Sequence, residues 1–446
     1  MNVILNQLKK KLEFYKYFNL LIAYSGGIDS TVLLHQLTQL RLHTLPLLKL
    51  RAIHINHGIN PHAPSWVLHC KSQCLKWQIP FSSIKIKLDF KNKKDQGIES
   101  ACRIARYNAL FQALLPQEIL LTAHHMDDQC ETFFLALKRG SGPAGLSAMP
   151  LIKKNSEGKI LFRPFLNQDR KSIEQWASQY SLCWINDNSN QNTYFDRNFL
   201  RVKVLSLLKI KWPHICKNVA RSAALCAYQE QLLHDLLKEY LNNLTQEDGS
   251  LIIDKFFNYS EIQVYAILRQ WLINYKIFSA PPSFKIIQSI WREIICSRKD
   301  ALPCIKLGKY EIRRYRNAIY LLETIPSVKE HILYWEFPWL PLKLPNKLGV
   351  IKLHHSHGML IRYPNLGEKV SIRFKTKGKI SVFGRSAGRR AIKKIWQELA
   401  IPSWLRERIP LIFYNEILIA AMDVFITEEG TPTNKNAWYL KWDKKK

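Results

Sequence analysis

Along the first two hundred residues the apolar positions switch repeatedly between strand-like and helix-like spacing. Leu20 to Tyr24 is a short apolar run of strand length, and Val32, Leu33, Leu37 and Leu40 then recur at helical intervals. Leu48 to Ile55 reads as a second strand, followed by a helix carrying Trp66, Val67, Cys70 and Cys74. Ile84, Ile86 and Leu88 alternate as a third strand. A long helix from Ile98 to Leu115 precedes a strand over Glu118 to Ala123 and a helix from Asp127 to Lys138, which Gly140 stops. The alternation continues through Leu161 to Phe165, Lys171 to Tyr180 and Cys183 to Ile185. This order predicts an α/β fold, a doubly wound parallel sheet, over residues 1–212.

The pattern changes after Trp212-Pro213. Helical spacing dominates His214 to Asn243, Glu261 to Tyr275 and Ser283 to Cys296, before strand-like Cys304 to Leu307 and Tyr310 to Leu322. We read 213–323 as a mostly helical module, and Thr324 to His331, with Pro326, as a linker. The remainder, 332–446, reads as a small basic α+β module with strands such as Val370 to Phe374. Its one clear amphipathic helix is expected to turn Ile392, Ile395, Trp396 and Leu399 inward and Arg389, Arg390, Lys393 and Lys394 outward.

Charge sharpens this picture. The 446 residues include 66 Lys and Arg against 35 Asp and Glu, a net +31 that exceeds what solubility needs and points to a polyanionic partner. The N-terminus lacks the long apolar stretch of a signal peptide, and no apolar run approaches the ~18 residues of a membrane span. Nine scattered cysteines with no Cys-x-x-Cys suit a reducing cytoplasm. The expectation is a cytoplasmic protein with no membrane association, and no protein partner is implied.

Candidate chemistry concentrates where strands end. Between the first strand and its helix lies Ser25-Gly26-Gly27-Ile28-Asp29-Ser30. Paired glycines allow a sharp turn and close approach of a ligand, and a helix start offers free N–H groups and a partial positive charge, so the segment suits a phosphate. Asp29 beside a polyanion requires an intervening cation, which makes it the candidate Mg²⁺ ligand. The bland alternative is a glycine turn with Asp29 or Ser30 as the helix cap. His54-Ile55-Asn56-His57-Gly58 and His124-His125-Met126-Asp127-Asp128 also fall at strand ends, where ligands gather in such sheets. Asp128 and Glu131 share a helix face and suit a metal or an ammonium group, although acidic residues also favour a first helical turn for electrostatic reasons alone. Glu99 and Arg103 have the spacing of an intrahelical ion pair, with Arg106 one turn further on.

The segment Ser25 to Ser30 resembles the PP-loop of ATP pyrophosphatases, which cleave ATP between its α and β phosphates. No Walker A sequence occurs. Together with the run His124 to Thr132, Arg139 to Leu146, Arg163-Pro164, Asp187 to Asn190 and Arg197 to Arg201, the chain resembles the tRNA(Ile)-lysidine synthetase family, a similarity that continues through Gly384-Arg385 and Lys393 to Leu399. The segment Gly384 to Arg390 is less glycine-rich than its family counterpart.

The resemblance implies ATP as substrate, with Mg²⁺, and adenylation of the C2 oxygen of the wobble cytidine in the CAU-anticodon isoleucine tRNA. Free L-lysine then displaces AMP, giving lysidine and changing codon reading from AUG to AUA. It implies that Ser25, Gly26, Gly27, Ile28, Asp29 and Ser30 bind ATP, that Asp128 and Glu131 hold lysine, and that Arg201, with Arg197, offsets phosphate charge. Arg103, Arg106, Arg197, Arg385, Arg389, Arg390, Lys393 and Lys394 are the expected tRNA contacts, and Asp29, Asp128, Glu131 and Arg201 the catalytic set. The competing classes are another PP-loop tRNA enzyme such as a thiolase, for which the usual Cys-x-x-Cys is absent, and a non-catalytic RNA-binding protein, which leaves the carboxylates unexplained.

Overall fold

The computed structural model describes residues 3–56, 58, 61–86, 98–187, 191–275, 282–298, 301–337, 339–384, 388–432 and 437–444. The chain forms two compact units, Met1–Asn242 with Arg269–Pro282, and Asn243–Leu268 with Ser283–Lys446.

In the first unit the order is α1 (Val3–Tyr15), β1 (Asn19–Ala23), α2 (Ile28–His43), β2 (Lys49–Asn56), α3 (Ala63–Lys76), β3 (Phe81–Lys85), α4 (Ile98–Gln112), β4 (Ile119–Leu121), α5 (Met126–Lys138), α6 (Pro143–Leu146), β5 (Ile152–Lys154), β6 (Ile160–Phe162), α7 (Arg170–Gln179), α8 (Asp196–Phe199), α9 (Leu205–Lys211) and α10 (Ile215–Leu244). A π-helical segment, Leu200–Val204, joins α8 to α9. The strands form one six-stranded sheet in the order β3-β2-β1-β4-β6-β5. All pairings are parallel except that of the edge strand β5, which runs antiparallel to β6.

The sheet is covered on both faces, which explains its apolar strands. Leu20, Ile22, Leu50, Ala52, Leu121 and Phe162 point into a core shared with residues of α1, α2, α3 and α7. Leu21, Ile53, Leu120 and Leu161 point the other way and meet Leu110 and Leu114 at the α4 side. Helix α2 is buried nearly all round, so its apolar residues do not form a single stripe. The strand order reverses direction at β1, between β2 and β4, and the crevice outside the carboxyl ends of β1 and β4 is the binding position for this topology.

In the second unit, antiparallel sheets dominate. One joins Leu251–Ile252, Ala318–Glu323, Tyr310–Tyr315 and Cys304–Leu307. Another joins Ile332–Trp335, Val370–Arg373, Leu411–Tyr414, Ile417–Ala421 and Phe425–Ile426, over a core that includes Trp335, Phe374 and Tyr414. Among the described residues no helix is long and apolar enough to cross a membrane.

Several local expectations change. Cys183 to Ile185 is not a strand: Ile185 N–H bonds to Gly26 O at 2.9 Å instead of to a sheet neighbour. The third strand occupies Phe81–Lys85, and Leu88 lies outside the described residues. The segment Ser283 to Cys296 divides into an α-helix, Phe284–Ser289, and a π-helix, Ile290–Ile295. The amphipathic helix near the C-terminus starts only at Ile392, so Arg389 and Arg390 precede it, with Arg390 in a short strand.

Candidate active site

The loop Tyr24–Gly27 leaves β1 and enters α2 with Gly27 as its N-terminal cap residue. Neither Asp29 nor Ser30 caps the helix through its side chain. Gly26 has φ +83°, and a Cβ there would stand 2.5 Å from Ile185 Cδ1 and 2.9 Å from Cys70 Sγ, so only glycine fits the turn. Ser25 and Ser30 hydroxyls lie 3.0 Å apart, and Ser30 Oγ donates to Gly27 O at 3.0 Å. The loop is therefore tied down by its own hydroxyls and, from outside, by Ile185, while Ser25 stays exposed.

Across the crevice, the chain leaves β4 and enters α5 through His125. Its Nδ1 accepts from Asp127 N–H at 3.2 Å, while Asp128 Oδ2 accepts from His125 N–H at 2.9 Å, a reciprocal cap. With Nδ1 accepting, Nε2 carries the proton of the neutral ring, and it lies 3.7 Å from Asp29 Oδ1 and 3.5 Å from Asp128 Oδ2. His125 thus bridges the phosphate loop and the acidic helix. The Gln129 side chain donates to Met149 O and accepts from Met149 N–H, a structural role, and Asp127 pairs with Lys209.

Asp128 and Glu131 do share a face of α5, and two arginines close over them. Arg197 Nε donates to Glu131 Oε2 at 2.6 Å and its Nη2 to Asp128 Oδ1 at 3.1 Å. Arg201 Nε donates to Glu131 Oε1 at 2.6 Å, and its Nη2 reaches Glu131 Oε2 and Asp128 Oδ1 at 3.1 and 3.2 Å. Glu131 is fully enclosed, whereas the Arg201 side chain is 41% exposed. Burial works against ionisation of Asp128, but the His125 and His124 rings, which carry charge only where they are protonated, together with Arg197 and the His125 amide outweigh it and hold its carboxyl below the usual range. His124, with Nδ1 2.8 Å from Thr122 Oγ1, is pushed by burial to a pKa of about 3 and is neutral at physiological pH.

Asp29 is held by Arg170, whose Nη1 donates to Asp29 Oδ1 at 2.6 Å. Burial raises the Asp29 carboxyl pKa, and His125 and Arg170 oppose the rise. Among the described residues no group of three or more His, Cys, Asp or Glu is placed to hold a metal. A single carboxylate beside a phosphate site nevertheless fits Mg²⁺, which keeps several waters and takes its remaining ligands from substrate phosphates.

The other expected residues take no part in these hydrogen bonds or lie outside what is described, although Arg106 is near enough to Arg197 and His124 to act on both electrostatically. The guanidinium carbons of Arg103 and Arg106 lie 5.4 and 5.6 Å from the centre of the Tyr107 ring, and no carboxylate among the described residues pairs with either. The side chain of Glu99 lies outside the described residues, as do His57, Asn188 to Asn190 and Arg385. Arg389 pairs with Glu429 at 3.4 Å and Arg390 with Glu398 at 2.6 Å, while Lys393 and Lys394 are exposed. Sequence reasoning missed Arg170 and the Ile185 backbone contact, and gave His125 no role. The i,i+4 spacing to Glu174 marks Arg170 only as half of a helix-surface ion pair, and its partner in the site, Asp29, is 141 positions away.

Family comparison agrees with this geometry. A PP-loop domain model matches residues 2–208, a TilS substrate binding domain model 251–320, and a TilS substrate C-terminal domain model 370–442. The tRNA(Ile)-lysidine synthase of Serratia proteamaculans is 46% identical over 445 residues, covering 100% of this chain and 99% of its own length. The chain belongs to the tRNA(Ile)-lysidine synthase family. The synthase of Pectobacterium atrosepticum is 47% identical over 427 residues, 96% of this chain and 95% of its own length. Among solved structures, the U34-tRNA thiolase NcsA of Methanococcus maripaludis superimposes with a TM-score of 0.43 at 17% identity, over 49% of this chain and 77% of its own. Membership in the synthase family makes the chain an ATP-dependent ligase with a PP-loop nucleotide site, and favours neither the thiolase nor the non-catalytic alternative.

Proposed function

We propose that this cytoplasmic enzyme joins the ε-amine of free L-lysine to C2 of the wobble cytidine in CAU-anticodon isoleucine tRNA, at the expense of ATP. The observation that carries the reading is the convergence of the phosphate loop after β1 and the Asp128–Glu131–Arg197–Arg201 quartet after β4, bridged by His125. The two halves suit the two steps. The loop and the α2 N-terminus cradle the triphosphate, and Asp29 faces the cation that accompanies it. The C2 oxygen, a poor leaving group in itself, attacks the α-phosphorus, pyrophosphate departs, and the oxygen becomes part of an AMP leaving group.

Charge counting then constrains the second step. The quartet carries two negative and two positive charges, so a lysine ammonium cannot join it without leaving an unbalanced cation in a largely buried site. Arg201, the more exposed arginine, resolves this by moving its guanidinium from Glu131 to the phosphate of the adenylate. Asp128 and Glu131 then hold the ammonium, whose pKa of about 10.4 in water must be overcome before the amine attacks. Lysine is therefore expected to bind well only after nucleotide. The +31 charge, the arginines of α4 and the basic C-terminal residues serve the tRNA.

The test is incubation with tRNA, ATP and labelled lysine, with mass analysis of the wobble nucleotide and of the nucleotide products. Lysidine with AMP and pyrophosphate is expected. ADP and phosphate, or label outside the wobble position, would refute the reading.

A further inference from the structure

Arg170 opens α7, and its side chain is one-third exposed. Its Nη1 is on Asp29 Oδ1 at 2.6 Å, and its Nε is anchored on Glu174 Oε1 at 2.9 Å, one turn along the same helix. The guanidinium is thus fixed at its Nε and reaches the phosphate loop with the rest of its fork. A carboxylate locked to a guanidinium is not free for a cation, yet Asp29 is the only acidic residue of the loop. The loop carries no lysine or arginine of its own, unlike a Walker A loop, where a lysine reaches the β and γ phosphates. The cation for those phosphates has to come from another element, and Arg170 is the guanidinium already bonded to the loop. Arg201 and Arg170 raise the positive potential around one another, so the region is poised for a polyanion and is balanced, without one, through Asp29.

We propose that Arg170 is a ligand of the β and γ phosphates, and hence of the departing pyrophosphate, and that it occupies Asp29 only until nucleotide and cation enter. The inference rests on reading Ser25 to Ser30 as the ATP site and Asp29 as the carboxylate that faces the cation. When the α-phosphorus is attacked, the bond to the bridging oxygen of the β-phosphate breaks and that oxygen keeps the electron pair. Arg170, no longer paired with Asp29, neutralises part of this charge. Its release from Asp29 exchanges one partner of each sign, so neither the carboxylate nor the guanidinium is left bare at any stage.

The two residues should act with opposite sign on anion binding in the absence of metal. Calorimetric titration of the full chain with inorganic pyrophosphate in EDTA is expected to show at least tenfold weaker binding for Arg170→Met. Arg170→Lys should recover part of it, and Asp29→Asn, which frees Arg170, should bind several-fold more tightly than wild type. Titrating ATP at a series of Mg²⁺ concentrations should show Arg170→Met reaching half-saturation at several-fold lower Mg²⁺, because Asp29 has lost its competitor. In turnover the KM for ATP rises and inhibition by pyrophosphate weakens. If Arg170→Met is not folded by circular dichroism, Arg170→Gln, which keeps a donor for Asp29, takes its place. Unchanged pyrophosphate affinity in a folded variant overturns the proposal. A wild-type Mg²⁺ dependence in Asp29→Asn overturns the reading of Asp29 instead, and leaves the pyrophosphate result to judge Arg170 separately.

Discussion

Glu131→Gln is the substitution that most directly tests whether the buried quartet is one electrostatic unit. The Glu131 side chain has no solvent exposure and accepts three guanidinium bonds, at 2.6, 2.6 and 3.1 Å. Glutamine keeps the shape but offers one acceptor oxygen, so it can serve only one of the two arginine Nε groups and must turn its NH₂ toward the other donor. Arg201 is exposed enough to swing into water, but Arg197, at 18%, is not. Breaking a buried pair from one side costs roughly 3–5 kcal/mol, and the freedom of Arg201 places this case near the lower end, about 3 kcal/mol. Arg197→Met should cost a similar amount by leaving Glu131 half-matched.

In the double variant neither stranded charge remains, so the two losses should fall short of additive by at least ~1.5 kcal/mol, within the usual range for residues in one network. The chain has two compact units, so global unfolding is a poor gauge. Hydrogen exchange of amides in α5 and α8, resolved by mass spectrometry, reads the local opening energy instead. Additivity to within ~0.5 kcal/mol would refute the claim that these residues act as a unit.

Two further outcomes follow from the same geometry. Burial lowers the His124 pKa to about 3 and the His35 pKa to about 4, below the ~6.5 of an unfolded histidine. The unfolded chain therefore takes up these protons first: stability is intact above pH ~6.5 and declines as pH falls toward the folded values, so His124→Asn should remove about one proton from the uptake on unfolding near pH 5, and an unchanged uptake would contradict the assignment. For the C-terminal module, Lys393 and Lys394 are exposed whereas Arg389 and Arg390 already have carboxylate partners, so Lys393→Gln with Lys394→Gln should flatten the salt dependence of tRNA binding by nearly two units of slope and Arg390→Gln by less, with the lost rate recovered at high tRNA concentration; equal slopes in wild type and the lysine variant would assign these residues to a merely solvated face.

What was legible in the sequence was local, and what was not depended on distant partners. The phosphate loop could be read because its signal, a change of period around two glycines, lies within a dozen residues. The strand order then placed its partner cluster beside it. Asp128 and Glu131 could be set on one helix face by spacing alone, but their arginines come from segments 66 to 73 positions later and were found by family resemblance, not by periodicity. Cys183 to Ile185 shows why a short apolar run misleads: its backbone hydrogen bond goes to Gly26 O, and nothing in three residues distinguishes that acceptor from a neighbouring strand. The basic helix near the C-terminus was overextended for a related reason. Amphipathic spacing continues back through Arg390, yet Arg390 and Ala391 pair with Ile380 and Lys379 as a strand before the helix starts.

Arg170 is the most instructive omission, because the physics that hides it also explains it. A phosphate loop with an aspartate and no cation is unbalanced as a string: with nucleotide bound it is too negative, and without it Asp29 is a partly buried charge with nothing opposite. The loop's own residues cannot satisfy both states. A guanidinium from another element can, and in the proposal Arg170 pairs with the carboxylate in one state and with phosphate in the other, its Glu174 anchor keeping the fork within reach of both. Arg201 stands in the same relation to Glu131 on the opposite side of the crevice. In the proposal, Asp29 and Glu131 are each covered by an arginine that the substrate draws away, while Arg197 stays on Asp128 and Glu131. On the mechanism proposed above the charge of the site stays near balance while its partners change, and lysine binding is expected to depend on prior entry of nucleotide.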